Sequence, residues 1–194
     1  MPKATVKTVR EALRRLILVV CCAWITGLGA TAVAQGHADE DRDWSLAPTN
    51  QLRKPPYSAP TPLYIPGAST IGTAALQALM ESDKKPVLVD VASGDGHATL
   101  PQAYWIPGAG HGLSFIDEVQ AGLSVLLEKI TGGDRQKAVV FFCVNAQCWL
   151  SYNAALRAAA AGYAAVYWYR GGIEAWRSAG FPLVNMEPAA LGAP

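Results

Sequence analysis

The stretch VVFFCVNAQCWLSYNAALRAA, residues 139–159, decides how the chain is read. It opens on a run of β-branched and aromatic residues with no polar position, which fits a strand buried on both faces. It closes on an alanine- and leucine-rich run that reads as a helix. Between them stand Cys143 and Cys148, five positions apart around one turn. In open α/β sheets, ligands and chemistry gather beyond the carboxyl ends of the strands, and Cys143 stands at such an end. The turn after it enters a helix N-terminus, where unpaired amides point outward and hold anions. A thiolate is an anion, and so is a persulfide. A free thiol has a pKa of about 8.5. A favourable helix end contributes about 2 kcal/mol, enough to bring such a thiol close to half ionised near neutrality. No lysine or arginine lies between Cys143 and Trp149; the nearest that follows is Arg157.

Outward from this turn the chain alternates strand and helix signals. Thr73 caps a helix over AALQALMES, and VLVDV is a compact apolar strand reaching Asp90 before its last valine. AYWIP, residues 103–107, reads as a second short strand. Ser114 with Asp117 resembles a capping box for a helix over IDEVQAGLSVLLEKI, stopped by Gly132 and Gly133. After the Cys143 turn, LSYNAALRAAAAG ends at Gly162, AAVYWY is a strand, and GGIEAWRSAG is a short final helix. Strands alternating with helices predict an α/β domain, an open parallel sheet with helices on both faces. The domain is expected over residues 67–186, with 187–194 as a tail. A span of this size is long enough to bury such a core.

The chain has 194 residues, which suits one domain plus extensions. Lys3, Lys7, Arg10, Arg14 and Arg15 form a basic start, followed by an apolar stretch from Leu16 and then by Ala32-Val33-Ala34. That order is the pattern of a secretory signal over residues 1–34, cleaved after Ala34. The rival reading, an uncleaved anchor, asks for about 20 apolar residues, more than the stretch supplies. Cleavage leaves 11 basic against 14 acidic residues, a net charge of −3, and no basic run. Nucleic acid is therefore not an expected partner, nor is a membrane once the signal is gone. Cleavage also removes Cys21 and Cys22, leaving the Cys143–Cys148 pair in an oxidising, periplasmic compartment, where it must be read as a potential disulfide. Residues 35–66 begin with a charged run and hold six of the 13 prolines. They read as a Pro-rich linker or as an extended arm, with Trp44, Tyr57 and Leu63 available to clasp the domain.

With these residues in view, the span from Ser69 to Val184 resembles a rhodanese domain. In that family a strand ends in a nucleophilic cysteine, a six-residue loop curls round it, and a helix follows. Here VVFFC-VNAQCW-LSYNAALRA matches, with Cys143 in the nucleophile's place. VYWYRGGIEAWRSAGFP is similar to the family's closing signature, and VLVDVASGDGHATLPQAYWIPGA to its opening half. The Cys148-Trp149 pair, YNAALRA and VYWYRGG further resemble an exported subgroup named for a cysteine-pair-Trp motif. That subgroup is associated with pyrroloquinoline quinone (PQQ)-dependent alcohol catabolism. Two departures stand out. Where family members carry a basic residue late in the loop, this chain has Cys148, and where they carry arginine after the first strand's aspartate, it has Ala92. Both remove positive charge from where thiosulfate would bind.

Three functions remain open. In sulfur transfer, the resemblance implies that Cys143 takes a sulfane sulfur from a small donor and passes it to a thiol acceptor. The amides of Val144, Asn145, Ala146, Gln147 and Cys148 would then form the anion-binding loop. In thiol–disulfide chemistry, Cys143 attacks, Cys148 resolves, and an exported redox protein is the partner. In the third reading the pair is a staple, and the domain is a non-catalytic binding module of a PQQ-dependent alcohol oxidation system. Trp149, Arg170 and His111 are candidates for the cleft, Arg170 as the source of positive charge near Cys143. His97 and His111 lie in glycine-rich loops without zinc-site spacing to the thiols, so no metal and no cofactor is expected. His97 reads as an exposed loop residue, Asp90 as a structural acceptor, and Trp176 as core. Trp149 either shields the thiols or belongs to the core.

Overall fold

The computed structural model describes residues 37–186. The expected signal at 1–34 and tail at 187–194 lie outside them. Five strands form one parallel sheet: β1 (Ser69–Ile71), β2 (Val87–Asp90), β4 (Ala103–Trp105), β5 (Val139–Phe142) and β6 (Val166–Tyr169). Their order is β1-β6-β5-β2-β4, so β5 lies at the centre between β6 and β2. Helices cover both faces of the sheet there, which is why VVFF carries no polar residue.

Side-chain alternation divides the core between the two faces of the sheet. On one face Val87, Val89, Val139, Phe141, Val166 and Trp168 pack with α2 (Glu118–Thr131) and α3 (Trp149–Ala160). On the other, Leu88, Val140, Phe142 and Tyr169 pack with α1 (Thr73–Glu81) and α4 (Gly172–Ser178). The predicted open parallel sheet with helices on both faces is therefore what forms. No helix among the described residues is long and apolar enough to cross a membrane.

Three short strands escaped sequence reading. One is β1; the other two, β3 (His97–Thr99) and β7 (Val184–Met186), form a separate antiparallel ribbon. His97 is consequently not an exposed loop residue. Its Nε2 lies 2.6 Å from Oδ2 of Asp90, whose side chain is wholly buried. The same carboxylate accepts from Thr99 Oγ1 and from the Ala92 amide, fixing the chain beyond β2.

Two helix starts also differ from expectation. α2 begins at Glu118, because Asp117 itself caps the helix and accepts from the Gln120 amide. Asp117 further accepts from both terminal nitrogens of the buried Arg157, at 3.0 and 2.9 Å. Burial opposes ionisation of Asp117, but the bonds from Arg157 and from the amides of Gln120, Ser114 and Leu113 outweigh it. They hold the carboxyl well below the usual carboxylate range. Ile116 is left outside the helix and 95% exposed. At α1 the cap residue is Gly72 rather than Thr73, and a distant carboxylate supplies the missing acceptor. Glu40 accepts from the amide and hydroxyl of Thr73 at 2.9 and 2.6 Å.

Glu40 belongs to residues 37–66, which run over the domain as an extended arm with almost no regular secondary structure. Prolines deny this segment ladder donors, and several of its polar groups are satisfied by residues about a hundred positions away. Tyr152 bonds the Thr49 backbone, and Asn153 bonds both the amide and the carbonyl of Arg53.

Candidate active site

β5 delivers Cys143 to the carboxyl edge of the sheet, and the turn that follows is fastened on two sides. On the first side, the Cys143 and Val144 carbonyls accept from the amides of Ile173 and Glu174 in α4. Gly172 makes this approach workable. It has φ +60°, and a Cβ there would collide with the Cys143 carbonyl. On the second side lies the arm. Ala59 donates to the Gln147 carbonyl at 2.8 Å, Trp149 donates to the Tyr57 carbonyl at 2.9 Å, and Ser58 bridges Cys148 in antiparallel fashion. Thr61 Oγ1 donates to the Ala146 carbonyl at 2.6 Å.

The two cysteines are joined as a disulfide, with Cα atoms 6.1 Å apart, inside the range a disulfide permits. Cys143 is 2% exposed, which departs from the accessible nucleophile the sequence suggests. It packs in the core cluster with Phe141 and Trp149. Cys148 is partly exposed and is the N-cap of α3. Both sulfur-bearing residues line a cleft of about 400 Å³. Tyr57 and Ser58 of the arm, Val144, Leu150 and Ser93 line it too, and no charged side chain does.

The expected amide cradle is only partly available. Asn145 folds the turn on itself, its side chain accepting from the Gln147 amide at 3.0 Å and its carbonyl from Cys148 at 3.1 Å. The Val144, Asn145 and Ala146 amides have no acceptor among the described residues. Ala146 is itself buried, whereas Gln147 is exposed and lines the cleft.

The three cleft candidates fare differently. Arg170 does not supply charge to Cys143. It is 1% exposed, and its guanidinium donates to the carbonyls of Asp39, Glu40, Arg42 and Thr61 and to Thr61 Oγ1. Burial draws its pKa down, against the pull of Asp41, Asp39 and Asp43. Trp149 is a core residue that also ties down the arm, donating from Nε1 to the Pro60 carbonyl and lying under the Arg53 guanidinium. His111 is exposed and reaches the cleft only through Tyr57, on which its ring stacks at 5.2 Å. Sequence reading did not single out Ser58, Ser93 or Leu150. Tyr57 appeared only as a residue able to clasp the domain.

A central parallel strand ending in a cysteine, a short loop closed over it, and a helix leaving that loop define a recurrent class of open-sheet α/β domain. The rhodanese-like domain family matches residues 72–179, and the chain belongs to that family. Among curated proteins, none matches it. Of the solved structures it resembles, one is a thiosulfate sulfurtransferase from Pseudomonas aeruginosa, 18% identical with a TM-score of 0.48. That likeness covers 66% of this chain and 22% of the other, so this chain spans about a fifth of that enzyme's length. Another is the polysulfide-sulfur transferase homodimer from Wolinella succinogenes, 18% identical with a TM-score of 0.44 over 61% of this chain and 79% of that one. A third is a rhodanese-like domain from Anabaena, 17% identical with a TM-score of 0.42 over 66% and 87%.

Proposed function

We propose that this protein is an exported sulfur carrier that holds a sulfane sulfur on Cys143 and discharges it with the help of Cys148. The observation that carries this reading is the joining of the two cysteines beside one cleft at the end of the central strand. In the reduced protein the Cys143 thiolate attacks the outer sulfur of a persulfide donor. The donor's S–S bond breaks, its thiolate leaves, and Cys143 becomes a persulfide. Cys148 thiolate then attacks Cys143 Sγ, the disulfide forms, and hydrosulfide leaves with the electron pair. The sulfane sulfur is reduced to sulfide and the two thiols are oxidised to the disulfide. A dithiol reductant resets the pair.

The uncharged lining of the cleft and the engagement of Arg170 elsewhere leave no cation there to pair with a dianion, which favours an organic persulfide, with at most one negative charge, over thiosulfate. The basic start followed by an apolar stretch and Ala32-Val33-Ala34 supports export to the periplasm. The Cys-Trp pair with YNAALRA and VYWYRGG supports service beside PQQ-dependent alcohol catabolism.

The disulfide also favours a second reading, in which the pair only exchanges with partner disulfides. Intact mass of the protein purified from its own compartment separates the two. An added sulfur that cyanide removes, lost in Cys143→Ser, is the expected result for the carrier. Loss of two hydrogens restored by reductant, with no sulfur ever loaded from a persulfide donor, leaves thiol–disulfide exchange alone. Neither change points to a binding module and overturns both.

A further inference from the structure

The two sulfurs of the pair are not equivalent. Exchange at a disulfide is attack on one sulfur with expulsion of the other, and access to each decides which is attacked. Cys143 is 2% exposed and belongs to the core cluster that includes Phe141 and Trp149. Its carbonyl is bonded to α4. Cys148 is partly exposed, lines the same cleft, and packs only at the margin of that cluster. Its side chain makes no capping bond while the disulfide stands, although it occupies the N-cap of a 12-residue helix. Once the disulfide opens, a sulfur at that position is placed to accept from first-turn amides.

We propose that Cys148 is the sulfur through which the oxidised protein is reopened: the thiolate of a dithiol reductant attacks Cys148 Sγ and Cys143 Sγ leaves. This rests on the redox half of the function proposed above. As the new S–S bond to Cys148 forms, the Cys143–Cys148 bond breaks and its electron pair departs on Cys143. The reductant's second thiolate then attacks the reductant's own sulfur in the mixed disulfide. Cys148 is released as a thiolate, and the reductant leaves as an internal disulfide. Two electrons and two protons have passed from the dithiol to the pair. Cys148 therefore faces the reductant, the reverse of the attacking and resolving order the sequence suggests for exchange.

The surroundings set the class of reductant. Tyr57, Val144 and Leu150 give the cleft an apolar wall. Asp39 and Glu174 line a recess of about 320 Å³ that shares Asn145 and Gln147 with the cleft. A dithiol with no negative group besides its attacking thiolate fits; a thiol that carries further carboxylates is disfavoured by Asp39 and Glu174.

The test uses the oxidised protein and the monothiol cysteamine, with the released thiol trapped at once by N-ethylmaleimide and both cysteines mapped by peptide mass. The expected product carries cysteamine on Cys148 and maleimide on Cys143, about 10-fold or more over the reverse. An adduct on Cys143, or an even split, overturns the proposal. As a second measurement, reduced Cys143→Ser is expected to react with neutral dithiodipyridine about 10-fold faster than reduced Cys148→Ser, and equal rates overturn it. Persulfide loading of Cys143, read as cyanide-released thiocyanate, is scored separately. Loading without Cys148-selective adducts removes this inference alone. Cys148-selective adducts without loading remove the sulfur-carrier reading alone.

Discussion

Replacing Arg170 by methionine keeps most of its apolar volume and removes every donor of the guanidinium. Five hydrogen bonds go, to the carbonyls of Asp39 at 3.0 Å, Glu40 at 2.6 Å, Arg42 at 2.8 Å and Thr61 at 3.0 Å, and to Thr61 Oγ1 at 3.1 Å. All of the acceptors lie on the arm. The carbonyls at Asp39 and Arg42 regain water, because those residues reach solvent. Those at Glu40 and Thr61 are buried and stay unsatisfied unless the arm lifts away. Each such orphan costs about 1–3 kcal/mol, and lost bonds to a charged donor add to it, so about 3–5 kcal/mol in all is expected. In a domain of this length that is a fall in Tm of about 6–20 °C.

Lifting the arm also withdraws Tyr57 and Ser58 from the cleft and frees the Gln147 carbonyl and the Trp149 amide. The variant's disulfide should then be reduced several-fold faster, and protease should cut within residues 37–61 first. Arg170→Lys keeps the charge but not the fork of donors, and should recover only part of the loss. Thermal unfolding, limited proteolysis and the rate of reduction by dithiothreitol check these outcomes. A Tm within about 2 °C of the parent, with an equally resistant arm, would refute the account of Arg170 as the tie between arm and domain.

Two further predictions concern the loops around the site. Asp117→Ala is expected to cost about 2–4 kcal/mol at neutral pH, taken below the fully buried range because the carboxylate is 25% exposed. Its folded pKa is depressed, so its contribution is present above the ordinary carboxyl range and is lost as pH falls. The stability gap between parent and variant, measured by urea unfolding, should narrow between about pH 4 and pH 2; a constant gap speaks against the ion pair. Gly172→Ala is expected to cost about 1–3 kcal/mol for the left-handed backbone alone, and more through collision with the Cys143 carbonyl. Exchange of the Gln147 and Cys148 amides, both bonded within the turn, should rise by at least about 10-fold in that variant, about 1.4 kcal/mol of lost protection. Unchanged exchange there, despite a folded variant, counts against Gly172 as the seat of the turn.

What the sequence determined by itself was the layered domain and the place of its reactive turn. VLV, VVFF and VYWY are rich in apolar residues because strands inside a parallel sheet are covered on both faces. The 3.6-residue period of the helices follows equally locally. Such patterns are written along the chain, so they can be read without partners. The three-residue strands STI, HAT and VNM are too short to carry a period and exist only because another segment pairs with them.

Tertiary structure alone decided what each charged or polar side chain does. Arg170 turns away from the cysteines because four arm carbonyls more than a hundred residues earlier meet it. His97 meets Asp90 of β2 from a strand that forms only by pairing with β7, which no local signal encodes. Cys143 is buried and Cys148 accessible because arm, helix and sheet close on the turn from different sides. Hydrophobic burial is a property of each residue and repeats with the backbone, whereas a hydrogen bond needs a specific partner at about 3 Å, and only the folded chain supplies it.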